Sequence, residues 1–229
     1  MNGGNRFATS GDDRRKNRSS RREARRKWLA LAVVTALTPA FVGAGYKARE
    51  PQLKAPRDYP ARQEFQGLVI AAEPFLSKKR IEKELFDTDK ILEIGLFPLV
   101  LIIQNQNDFP VEINLEAVQL ISPDGEILNS VPYEDVLFRL LQLERKIRPG
   151  YSPLPGRVKI AIQQCADPEM LDDFSRKAPP AKWVDPQTND YCVVFFERVN
   201  DLKGFRVYIP ELIHADEGTP LVFFEFELP

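Results

Sequence analysis

Apolar and polar positions along this chain change rhythm several times, and each rhythm predicts an element. From Leu96 through Ile103 the residues are continuously apolar and β-branched before Gln104-Asn105, the pattern of a strand covered on both faces. Asn107-Asp108-Phe109-Pro110 supplies turn chemistry. Val111, Ile113 and Leu115 then alternate with Glu112, Asn114 and Glu116, the signature of a half-buried strand. Val118–Ile121 and Ile127-Leu128 flank Pro123-Asp124-Gly125-Glu126, a turn. The spacing predicts an antiparallel meander built from three strands joined by tight turns.

Other segments follow the same logic. Gln66–Ala72, closed by Pro74, reads as a strand, and Ser77 as the N-cap of a short helix over 78–86 with Ile81 and Leu85 on one face. Residues 133–145 form a helix with an apolar stripe at Val136, Leu137, Leu140 and Leu141. Its acids Glu134 and Asp135 lie in the first turn, and Arg145 and Lys146 are expected in the last. Residues 149–157 break the pattern. A further helix is expected near 170–176, and strands over 191–197, 205–209 and 221–228.

The longest uncharged run lies near the start. Trp28–Tyr46 holds nineteen residues without a charge, directly behind Arg21, Arg22, Arg25, Arg26 and Lys27. About 20 apolar residues cross a bilayer as a helix, and flanking Lys and Arg hold their side in the cytoplasm. Trp28, Leu29, Leu31, Val33, Val34, Leu37, Phe41 and Val42 are the side chains expected to meet membrane lipid. Pro39 and the small residues Gly43, Ala44 and Gly45 also fit a cleaved signal, with Val42-Gly43-Ala44 as the cleavage triplet. Arg25-Arg26-Lys27-Trp28-Leu29 satisfies a loose twin-arginine pattern. The uncleaved single-pass anchor is the favoured reading, with the bulk of the chain periplasmic or extracellular.

Charge divides the chain in the same place. Residues 1–50 hold twelve Lys and Arg against four Asp and Glu, a net of +8; the remaining 179 hold twenty against twenty-nine, a net of −9. The basic arm, residues 1–27, has almost nothing to bury and is expected to be disordered. Nucleic acid is excluded as a partner, because the acidic remainder repels phosphate. Pro51, Pro56 and Pro60 mark residues 47–64 as a semi-extended spacer, leaving 65–229 as the exported domain.

Candidate chemistry is sparse. Cys165 and Cys192 both fall in the exported part, where an even count allows one disulfide closing a loop of about 28 residues, worth roughly 3.5 kcal/mol. Two buried free thiols are the alternative. His214 is the single histidine, so no histidine cluster can hold a metal, and it reads as a solvated residue in a polar turn. Glu169, Asp172 and Asp173, and the pair Asp216 and Glu217, lack the alternating spacing of a calcium loop and read as a solvated acidic face. Phosphate-binding glycine loops and nucleophile elbows are absent. Phe195, Phe196, Phe223, Phe224 and Phe226 look like cross-strand packing, with some turned outward.

Leu99–Ile121, LVLIIQNQNDFPVEINLEAVQLI, is a strand ending in Asn, a short Asn/Asp turn and a second strand opening on Pro-Val. It resembles the immunoglobulin-like sandwiches of the late-embryogenesis-abundant type and related membrane-anchored bacterial envelope domains. That resemblance implies a mainly β fold with added helices, an immunoglobulin-like antiparallel β-sandwich preceded by one N-terminal transmembrane or signal helix. It carries no known active site. The expected role is a non-enzymatic envelope domain that binds another envelope protein or supports an assembly, with no cofactor and no metal. A carrier of a small apolar or lipid ligand, using a cavity beside the 133–145 helix, is the alternative.

Overall fold

The structure, a computed structural model, describes residues 45–148 and 157–229, and its folded unit runs Gly45–Pro229. The expected membrane segment and cytoplasmic arm therefore lie outside the described residues, except for Gly45 and Tyr46. After a 3-10 turn at Pro56–Asp58, strand β1 (Arg62–Phe65) turns into β2 (Leu68–Pro74) through Gln66 and Gly67, whose φ angles are 47° and 75°. Two consecutive left-handed residues make the tight hairpin turn whose twist matches the flanking strands. A Cβ on Gly67 would also run into the Asn107 side-chain amide.

Helix α1 (Lys78–Arg80) continues as a π-turn through Ile81–Leu85. Ser77 takes the N-cap position but makes no side-chain cap hydrogen bond. Ile81 and Leu85 face inward as expected. Next come β3 (Leu96–Asn105), β4 (Val111–Asn114), a 3-10 turn over Leu115–Ala117, β5 (Gln119–Ile121) and β6 (Ile127–Asn129). Helix α2 (Tyr133–Leu143) buries the predicted Val136, Leu137, Leu140 and Leu141. It ends earlier than predicted: Arg145 stands beyond it at a φ of 59°, so the macrodipole is matched at the acidic end only. The chain goes on through α3 (Val158–Cys165), α4 (Pro168–Lys177), β7 (Ala181–Val184) and β8 (Asn189–Glu197). Strands β9 (Arg206–Ile209), β10 (Leu212–His214), β11 (Thr219–Pro220) and β12 (Phe224–Glu227) complete it.

These strands make three four-stranded antiparallel sheets, ordered β1-β2-β3-β8, β11-β10-β4-β7 and β12-β9-β5-β6. The protein is thus mainly β with added helices, as predicted. The predicted meander is not formed, because β3, β4 and β5 lie in three different sheets. Asn107–Pro110 bends the chain without reversing it. Pairing carries on through this corner, with Asn105 N bonded to Thr188 O at 2.9 Å and Gln187 N to Asn107 O at 3.2 Å. Asn105 is buried there, and its amide nitrogen reaches Phe109 O at 2.9 Å and Val184 O at 3.2 Å. A second corner lies between β4 and β5, whose partners β10 and β9 turn with them. One bent strand therefore links all three sheets, and only β5–β6 is the predicted tight hairpin, closed by Ser122 and Gly125.

The core lies on both sides of β3. Pro98, Val100 and Ile102 share one face with Phe195, Val193 and Tyr191 of β8. On that face Phe195 stacks at 5.7 Å from Phe86 and 6.1 Å from Phe174 of α4, and Phe86 and Phe174 stack at 4.1 Å. The opposite face carries Leu99, Leu101, Ile103, Cys192, Val194 and Phe196, all buried as well. Helix α2 packs on α3 and α4, which extends the helical layer.

Residues 47–64 differ from the predicted spacer. Tyr46 and Leu53 pack on the core, Tyr59 and Ala61 are buried, and β1 joins the first sheet. The prolines hold the chain extended, but extended along the domain surface.

Candidate functional site: an ionic latch beneath the lead-in segment

Helix α4 is built to bury charge. Asp167 caps it, accepting Glu169 N at 2.9 Å, and Pro168 opens its first turn. Met170, Asp173, Phe174 and Lys177 then fall at the helical spacing of one inward face. Asp173 and Lys177 are each 1% exposed, and their charged groups meet at 2.9 Å one turn apart. Asp173 was grouped by its sequence with Glu169 and Asp172 as solvated acid; the helical period instead turns it alone into the core.

Burying an unpaired charge costs several kcal/mol, so this pair persists only if its hydrogen-bonding capacity is filled. An ammonium has three donors. Lys177 Nζ donates to Asp173, to Leu85 O at 2.6 Å and to Arg49 O. Asp173 also accepts the Tyr46 hydroxyl at 2.7 Å and Arg176 at 3.0 Å. Tyr46 in turn accepts Asp87 N at 3.3 Å, while Asp87 takes Lys47 N at 3.0 Å and pairs with Arg49. Outside this centre, Glu50 pairs with Arg176 and accepts the Tyr191 hydroxyl at 2.7 Å. Every residue from Tyr46 to Glu50 except Ala48 thus bonds to α4, β8 or the residues after α1. Arg49 Nε is buried without a partner among the described residues.

Electrostatics follow from this packing. Burial, with the Asp173 carboxylate beside it, pushes the Tyr46 hydroxyl far above the ordinary phenol range. Tyr191 is raised by burial and by Glu50. Burial lowers the pKa of Lys177 despite its carboxylate partner. Glu50 and Asp87 are held below the usual carboxylate range by their hydrogen-bond partners, against the opposing effect of burial. A buried lysine of lowered pKa can serve as a base or nucleophile, but all three of its donors here are committed to holding chain, and it lines neither open groove described below. The cluster therefore works as a latch.

The other candidate residues are dispersed. Cys165, at the end of α3, and Cys192, in the middle of β8, are free thiols and the bridge is not formed. Cys192 sits opposite Leu101 within the sheet, where burial raises its thiol to about 12. His214 belongs to β10 rather than to a turn; its ring stacks on Phe109 at 4.2 Å and its Nδ1 accepts Glu217 N at 3.3 Å. Among the described residues no group of three or more His, Cys, Asp and Glu could hold a metal ion. Phe195, Phe196, Phe224 and Phe226 are buried and Phe223 is exposed, against Tyr208.

Two of the open grooves among the described residues lie beside these elements. One, of about 310 Å³, lies between the lead-in segment (Pro51, Leu53) and Ile102, Asn189 and Tyr191. The other, of about 240 Å³, lies over β4, β7 and β10, lined by Glu112, Asn114, Pro180, Ala181, Glu211 and Ile213. No helix among the described residues is long and apolar enough to cross a membrane. No protein-family model matches the chain, and no curated protein is significantly similar to it.

Proposed function

We propose that this chain is a single-pass, membrane-tethered envelope protein whose C-terminal domain lies in the periplasm or outside the cell and acts by protein–protein interaction. The observation that carries the reading is the latch. Tyr46 closes the uncharged run of the sequence and is also a half-buried anchor of the folded unit. The seventeen residues Trp28–Ala44 that precede the described residues are, by number, at the short end of what spans a bilayer, about 17 to 25 residues.

The role is non-enzymatic in this reading. The strongest buried polar cluster is consumed by the latch, and neither of these two grooves is lined by a serine, cysteine or histidine. The finer fold we propose is the immunoglobulin-like sandwich of late-embryogenesis-abundant-type envelope domains. Wholly antiparallel pairing and a double-faced central β3 support it; the corners that split the strands among three sheets are its elaboration.

Carbonate extraction of membranes from cells expressing the full chain tests the tether, with protease added to intact spheroplasts to locate the domain. Retention in the pellet and digestion from outside are expected. Intact chain in the cytosol would overturn the reading.

A further inference from the structure

We infer that the outer face of the sheet β11-β10-β4-β7 is a docking site for an arginine side chain presented by a protein partner. This rests on the interaction role proposed above. Register puts Trp183 of β7, Glu112 of β4, Ile213 of β10 and Pro220 of β11 in one cross-strand row, with Ala181, Asn114 and Glu211 beside it. Residues opposite one another on a sheet lie about 5 Å apart, so these side chains share one surface. The groove of about 240 Å³ is lined by Glu112, Asn114, Ala181, Glu211 and Ile213 of this face, with Trp183 next to Glu112 at its side. Trp183 is 47% exposed, unusual for the largest apolar side chain.

Charge identifies the occupant. Glu112 and Glu211 take part in none of the fourteen ion pairs among the described residues, which engage twelve other acids. Glu211 accepts only the Asn114 amide at 3.0 Å, and that bond holds its carboxylate at the groove. Lys182, the cation of β7, is engaged with Asp190 at 2.7 Å. An exposed indole beside the Glu112 carboxylate, with Glu211 at the adjoining groove, is complementary to a flat, delocalised cation, which stacks on the ring and donates in a fork to a carboxylate. Guanidinium meets both demands; an ammonium is a point charge that meets one. Arginine is also among the residues that dominate protein interfaces.

The test uses the full chain in vesicles of neutral phosphatidylcholine, titrated with tetra-arginine amide while tryptophan emission is followed. A saturable change is expected. E112Q/E211Q should weaken it about tenfold, while D124N/E126Q, removing equal charge from an exposed turn, leaves it within about twofold. Tetra-lysine amide should bind several-fold more weakly. Equal loss in D124N/E126Q, equal binding of tetra-lysine, or a saturable response to a neutral N-acetylglucosamine tetramer that survives E112Q/E211Q each overturns the site. Pull-down from solubilised membranes separates the two levels of the claim. A partner recovered equally by wild type and E112Q/E211Q sinks the arginine site and leaves the interaction role standing. The expected titration pattern with no protein recovered keeps the site and removes the protein-partner role.

Discussion

Asp173 and Lys177 show how one helical turn can place both partners of a buried ion pair. Truncating Asp173 leaves an ammonium in the core, so D173A should cost about 3–5 kcal/mol in urea unfolding. D173L/K177M removes both charges and should recover much of that loss; a double variant as unstable as D173A would mean that the latch holds by some other contact. Tyr46→Phe removes one hydrogen bond to a carboxylate and should cost about 1.5–3 kcal/mol. The two thiols provide a separate check on packing. Cys165 is partly exposed and Cys192 wholly buried with its thiol raised to about 12, so a disulfide reagent should titrate one thiol in the native protein and two after denaturation. No titratable thiol in the purified protein would mean that a bridge forms after all.

At the scale of elements, the first hairpin depends on backbone conformation and the helical layer on ring packing. Gly67 holds a φ of 75° against the Asn107 side chain, so G67A should destabilise by about 1–3 kcal/mol through strain and displacement of that amide. Phe174 stacks on both Phe86 and Phe195, and F174A should cost about 3–5 kcal/mol while loosening α4 and with it the latch. Hydrogen exchange at the Lys47 and Asp87 amides, both bonded within the latch, reads that loosening directly. Several elements were legible beforehand for clear reasons. Continuous β-branched residues made β3 readable, a four-residue stripe made α2 readable, and Pro123-Asp124-Gly125 fixed the β5–β6 turn. Strand β7 was hidden between Pro180 and Pro186, and β10 by its brevity. The Asn107–Pro110 corner misled because turn chemistry is the same whether a chain reverses or merely bends; the difference lies in the partner strands β7 and β8, far along the chain.

For the whole molecule, ionisation limits stability on both sides. Tyr46 and Tyr191 have folded pKa values above the unfolded value of about 10, so their contribution is complete below pH 10 and is lost as pH rises beyond it. Lys177 acts in the opposite sense: its folded pKa is lowered, so the unfolded chain binds more protons in that window and stability gains there as pH rises. Glu50, Asp87 and Glu144 are held low, so their contribution is present above about pH 4.5 and is lost as pH falls. Thermal melting followed from pH 3 to 11 should therefore show a plateau between roughly pH 5 and 9. Y46F/Y191F should be flatter above pH 10 than the wild type. An alkaline limb of the same slope in both proteins would remove the tyrosines from the account.

Local pattern alone determined that the chain is β-rich, which strands are covered on both faces, where its one long leucine-striped helix runs, and that charge and grease divide near residue 45. Those properties are written in neighbours a few positions apart, because strand and helix periods are short. Only the tertiary structure decided that the proline-rich stretch is bound to the domain, that Asp173 is a core residue while Asp172 is not, and that Trp183 stands beside Glu112. Each of those depends on partners brought together by folding, as when Tyr46 meets Asp173 across 127 positions of sequence. No local period encodes a contact of that range.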